Sequence, residues 1–154
     1  MPEDLRPYGD PGSDAFRVEA YPFFQLNRAA SRYNQVIEAE LRVIGIDIPT
    51  WRVLMVLGEE QPLPIGQVSK MAVINISTMM RIVERMVKAG LIETQTSAQD
   101  ARVTELLLTD LGAEKLAAAR GVTSPVYKRL IKGLSASEFG RLLDLLGRLH
   151  GNLE

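Results

Sequence analysis

Between Asn75 and Lys88 the chain mixes short polar side chains with long cations: Asn75, Ser77, Thr78, Arg81, Arg85 and Lys88. Wound as a helix, this run sets those groups on one side and Ile76, Met79, Met80, Val83, Met86 and Val87 on the other, at the spacing of a buried stripe. The chemistry such a face offers is non-covalent. Hydroxyls reach phosphate oxygens, and cations reach phosphates or the acceptor edge of guanine. Arg81 is the candidate for base contact and Arg85 for backbone contact, while Asn75 suits the turn before the helix because asparagine tolerates the left-handed region and caps helices well. A second group lies at Asp100 and Arg102. A carboxylate two residues before an arginine can hold the guanidinium by a bidentate pair, and an arginine at a hairpin tip can enter a minor groove. Taken singly, each group also fits a plainer description, a solvated amphipathic helix and a surface ion pair.

Other chemistries are poorly served. The single histidine, His150, sits near the end of a C-terminal helical pattern, where a cation is favourable for electrostatic reasons alone. The absence of cysteine removes disulfides, thiolate metal sites and thiol nucleophiles together. No glycine-rich phosphate loop, carboxylate cluster or metal-ligand spacing occurs, so neither an enzyme nor a cofactor is expected. The net charge of -1 gives no global signal for nucleic acid, but residues 61–104 carry +2 and the remainder -3, so basic surface is local. The start of the chain lacks the pattern of a signal peptide and no stretch suits a membrane span, from which a cytoplasmic protein without a membrane partner is expected.

The elements needed to position these groups follow from periodicity. Residues 1–13, rich in proline and glycine, are expected as a flexible arm unable to sustain a helix. Phe23, Leu26, Ala30, Tyr33, Ile37, Leu41 and Ile44 predict a long amphipathic helix ending near Gly45. Trp51–Leu57 predicts a short central helix closed by Gly58-Glu59-Glu60, and Ile65, Val68, Met71 and Ala72 a further one after the breaks at Pro62 and Pro64. Beyond Gly90 the period falls to two: Ile92, Thr94 and Thr96, then Thr104, Leu106 and Leu108, predict a two-stranded hairpin with a polar tip. Thr109 should cap a helix over Leu111–Leu134, kinked near Gly121 and Pro125. Ser135 and Glu138 form a capping-box pattern ahead of the stripe Phe139, Leu142, Leu146, Leu149 and Leu153.

The middle of the chain thus reads helix, turn, helix, hairpin. With Trp51-Arg52-Val53-Leu54, Arg81 ahead of Met86, Gly90-Leu91-Ile92, Asp100-Ala101-Arg102 and Leu108-Thr109-Asp110-Leu111-Gly112, it resembles the MarR family of regulators from about Phe23 onward. The resemblance implies a mainly α fold with a small β-hairpin wing, a winged helix-turn-helix flanked by N- and C-terminal dimerisation helices. It further implies a homodimeric regulator, usually a repressor, that binds double-stranded DNA and leaves it when a small, often phenolic or otherwise aromatic, ligand binds. Ser77, Thr78 and Arg81 would then face the major groove, with Arg102 as the wing arginine and Asp100 its orienting partner. Two positions depart from the pattern: Met80 and Thr94 stand where members often carry threonine and arginine.

On this reading residues 14–154 form one domain, with a DNA-binding lobe at about 47–112 and a dimerisation region made of 14–46 and 113–154. The heptad-like apolar stripes of the first and last long helices support pairing of two copies, which would read an inverted repeat. The mild charge of the middle and the uncharged Thr94 leave a second reading, a winged-helix module that binds protein and not DNA. For an effector, Phe24, Tyr33, Trp51 and Met55 fit a plain core as well as a pocket, and no ligand site follows from them.

Overall fold

The computed structural model describes all 154 residues. In chain order the elements are α1 (Arg6–Gly9), a 3-10 turn (Val18–Ala20), α2 (Pro22–Val43), α3 (Ile48–Glu59), β1 (Leu63–Pro64), α4 (Ile65–Ala72), α5 (Ile76–Lys88), β2 (Ile92–Thr96), β3 (Thr104–Leu108), α6 (Asp110–Leu130) and α7 (Ala136–Gly151). The fold is mainly helical with a small antiparallel sheet, and α3 lies at its centre. It buries Trp51, Val53, Leu54 and Leu57 and packs against α2, α4, α5, α6 and β3. A single apolar cluster runs from Ile37 and Leu41 of α2 through α3, α4 and α5 to Leu106 of β3 and Leu116 of α6.

Local chemistry explains where most elements begin. The Asp47 carboxylate accepts the Thr50 amide at 2.9 Å and opens α3 with Pro49 in its first turn, three residues before the expected start at Trp51. Gly58 is not a terminator. A Cβ there would lie 2.4 Å from Leu116 Cδ2, so this glycine lets α3 and α6 pack closely. Thr109 caps α6 as expected, accepting the Gly112 amide at 3.0 Å. Ser135 and Glu138 satisfy each other's amides at the start of α7.

Four further expectations need correction. The segment 1–13 holds one helical turn, Arg6–Gly9: Pro7 presets the first turn, the Arg6 guanidinium pairs with Asp4 at 2.9 Å, and Arg17 stacks over the Tyr8 ring. The wing has three strands in the order β1-β3-β2, because Leu63 and Pro64 pair with Leu106 and Glu105 on the free edge of β3. Proline at that edge removes no ladder bond, as its missing donor faces outward. In the turn before α5 the left-handed residue is Val73, at φ 55°, while Asn75 serves only as the cap. Finally, α6 runs through Gly121 and Pro125 but stops at Leu130, and Gly133, at φ 90°, turns the chain toward α7.

Candidate nucleic-acid interface

α5 is held by its back. Met79, Ile82, Val83 and Met86 are buried against α3 and α4, and Ile76, Met80 and Val87, expected on the buried side, are exposed. The apolar arc of this helix is wider than one packing contact, and the core takes the Ile82 side of it. The outward face therefore carries Ser77, Arg81, Glu84 and Lys88 along its middle, flanked by Ile76 and Met80 on one edge and by Thr78 and Arg85 on the other.

Each candidate side chain has a distinct setting. Asn75 Oδ1 accepts the Ser77 amide at 2.9 Å, the Thr78 amide at 3.4 Å and the Ser77 hydroxyl, which fixes the start of α5. The Ser77 hydroxyl proton is thus spent internally, and its oxygen is left as an acceptor. Thr78 and Arg81 are exposed, and Arg81 takes part in none of the five ion pairs of the chain. Arg85 is engaged: its Nη2 donates to Asp47 Oδ2 at 2.8 Å and to Thr50 Oγ1 at 3.4 Å, tying the last turns of α5 to the first turn of α3. Asp47 is partly buried, which favours its neutral form, but the bonds from Thr50 and Arg85 outweigh that and hold its carboxyl below the usual range.

The wing positions its arginine by backbone and side chain together. β2 and β3 pair in the register Ile92↔Leu108, Thr94↔Leu106 and Thr96↔Thr104, with Ile92 and Leu106 turned into the core. At the tip, the Ser97 amide donates to Val103 O at 2.9 Å and the Val103 amide to Asp100 O at 3.0 Å. The Asp100 carboxylate accepts the Arg102 amide at 3.0 Å and both Nε and Nη2 of its guanidinium at 3.1 Å. Those bonds hold the Asp100 carboxyl below its ordinary range. The Arg102 side chain remains 90% exposed, so the clamp orients the guanidinium without covering it. Thr94 is exposed on β2 and contributes no charge, while Gln95 and Glu105 bridge the strands at 3.0 Å.

Sequence reasoning missed the Asp47–Arg85 tie. Asp47 ahead of Pro49 and Thr50 carries the mark of a helix cap, but its partner is 38 residues away and leaves no local signal. The four residues weighed for an effector are not gathered in one cavity. Trp51 is core, Phe24 and Met55 are exposed, and Tyr33 faces the end of α6 from α2, where burial pushes its hydroxyl pKa up. A separate cavity of about 460 Å³ lies between the end of α2, the start of α3 and the end of α5, lined by Glu38, Arg42, Asp47 and Arg85 among others. No helix is long and apolar enough to cross a membrane.

Arranged this way, an outward helix face and a clamped wing arginine offer hydrogen bonds and cations to a polyanion. Comparison with known proteins agrees. Residues 44–103, spanning α3 to the wing tip, match the model of the MarR family. A transcriptional repressor of Pseudomonas putida, IacR, is 39% identical over 145 residues, covering 94% of this chain and 87% of the relative. Among solved structures, a MarR-family transcriptional regulator from Silicibacter pomeroyi superposes with a TM-score of 0.81 at 25% identity, over 90% of this chain and 93% of that one. A mutant of MarR from E. coli complexed with operator DNA has the same fold, with a TM-score of 0.74 at 20% identity over 85% of this chain and 95% of the other. Motif, fold and kinship converge, and the chain belongs to the MarR family of transcriptional regulators.

Proposed function

We propose that this protein is a cytoplasmic, homodimeric transcriptional repressor that binds an inverted-repeat operator through α5 and the wing and is released by a small, aromatic ligand. The observation that carries the DNA reading is the pairing of a solvent-facing Arg81 on a helix anchored from behind with an Arg102 oriented by Asp100. Ser77, Thr78 and Arg81 face the major groove, and Arg102 reaches the adjacent minor groove or backbone. Arg85, tied to Asp47, supports the position of α5, and any phosphate contact it makes must share the guanidinium with that carboxylate. Two copies would set their α5 helices roughly 34 to 36 Å apart, one turn of DNA. The 460 Å³ cavity suits a ligand switch, because a ligand there would touch α2 of the dimerisation region and Arg85 of α5 at once.

The competing reading, a winged helix that binds protein and not DNA, draws on the uncharged Thr94. Titration of a duplex at two salt concentrations separates them. Phosphate neutralisation requires log affinity to fall linearly with log salt, and a protein adaptor gives no salt-dependent DNA affinity. On a duplex selected by the protein from a random library, Arg81→Ala should cost about 1 to 3 kcal/mol and relax preference at one base pair. Arg102→Ala should weaken many sequences evenly. Unchanged selectivity in Arg81→Ala would remove that residue from the interface.

A further inference from the structure

Recognition of DNA through polar groups leaves part of the α5 surface unexplained. Ile76 is 53% exposed and Met80 49% exposed, on a helix whose opposite side is fully packed. They lie one turn apart on the edge of the face that carries Ser77 and Arg81, and both belong to the N-terminal half of the helix. That half is the part which enters the major groove in helix-turn-helix complexes. Exposed apolar side chains cost free energy in water, and these two stand beside a row of cations formed by Arg81 and Lys88. A partner that accepts cations and apolar groups from one narrow helix face must interleave anionic and apolar surface at close range.

The major groove of A·T-containing DNA does this, since each thymine presents a C5-methyl group between flanking phosphates. Resting on the DNA reading above, we infer that Ile76 and Met80 form an apolar edge that reads thymine methyl groups, giving the protein a preference for thymine at set positions beside the base pair contacted by Arg81. Residues four apart rise about 6 Å along a helix axis. Stacked base pairs rise about 3.4 Å, so the two side chains span about two base pairs. Methionine is unbranched and polarisable and can follow a methyl group in the groove.

Replacing thymine by deoxyuridine removes the methyl group and nothing else. A duplex selected from a random library is remade with each half-site thymine changed in turn, and affinity is read by fluorescence anisotropy at fixed salt. At one or two positions per half-site the uracil duplex should bind roughly threefold to fivefold more weakly, the effect of one buried methyl group. In Met80→Ala the thymine and uracil duplexes should bind equally at one of those positions, and in Ile76→Ala at the other. Both residues are half exposed, so these variants keep the fold. If no uracil substitution changes affinity, or if the difference persists in both variants, the inference is overturned while the DNA reading stands. Binding of no duplex in a salt-dependent way would overturn the DNA reading and this inference with it. Self-association lost in Met80→Ala, with no response to uracil, would assign the apolar edge to a second copy instead.

Discussion

Asp47 does two jobs with two oxygens: Oδ1 caps α3 through the Thr50 amide, and Oδ2 holds the Arg85 guanidinium at 2.8 Å. The residue thereby links the start of the central helix to the last turns of α5, and its charge decides how firmly. Because its folded pKa is depressed, the stabilisation is fully present above the unfolded value of about 3.9 and is lost as pH falls through the lower folded value. Asp47→Asn keeps a good cap but removes the charge, so it should cost at most about 1 kcal/mol near pH 7, given that both partners are half exposed. Urea denaturation near pH 7 and near pH 3 checks this. The gap between wild type and variant should narrow at the lower pH, and a gap of equal size at both would mean that the charge is not what Asp47 contributes.

At the scale of elements, the start of α6 meets the junction of α5 and the wing in a close approach. A Cβ on Gly112, in the first turn of α6, would lie 1.9 Å from the Leu91 carbonyl oxygen, and that oxygen accepts the Thr109 amide at 3.1 Å. Backbone cannot yield as a side-chain tip can. Gly112→Ala should therefore destabilise by at least about 2 kcal/mol, toward the upper part of the range for overpacking. For a chain of this size that is a fall in Tm of roughly 4 to 8 °C. Gly121→Ala, at a helical site with nothing within 4 Å of the added carbon, should instead raise stability by up to about 1 kcal/mol. Equal melting shifts in the two variants would contradict the packing account. Elements set by neighbouring residues were legible in the sequence: α2 from its apolar period, the caps at Thr109 and Ser135, the pairing of β2 with β3, and the Asp100–Arg102 clamp. What escaped depends on distant partners. Two residues, one of them proline, become β1 only because the free edge of β3 lies beside them. The side of α5 that is buried was misjudged because its apolar arc exceeds the contact that α3 and α4 provide.

For the whole molecule, α7 poses the sharpest physical question. Its 16 residues bury no side chain, and Leu142, Leu145, Leu146 and Leu149 share one broad face that is open to solvent. Its clearest tie to the rest of the chain is an edge-to-face contact of Phe139 with Tyr127. An isolated helix of this length is marginal in water, and a capping box adds only about 1 kcal/mol. The exposed end of α2, with Phe23 and Phe24, belongs to the same problem. The homodimer proposed above would answer both by burying the leucine face against a second copy, and it would couple α7 to DNA affinity, because two linked α5 helices gain the effective concentration that one lacks. Leu142→Glu combined with Leu146→Glu places charges at the centre of that face. Sedimentation should then report the mass of one chain where wild type reports two, with reduced helicity by circular dichroism. Affinity for an inverted repeat should fall far more than affinity for a single half-site, since the latter never used the second copy. Wild type that sediments as one chain at micromolar concentration with full helicity would defeat the dimer, and equal losses on the two duplexes would mean that α7 supports the DNA lobe from within one chain.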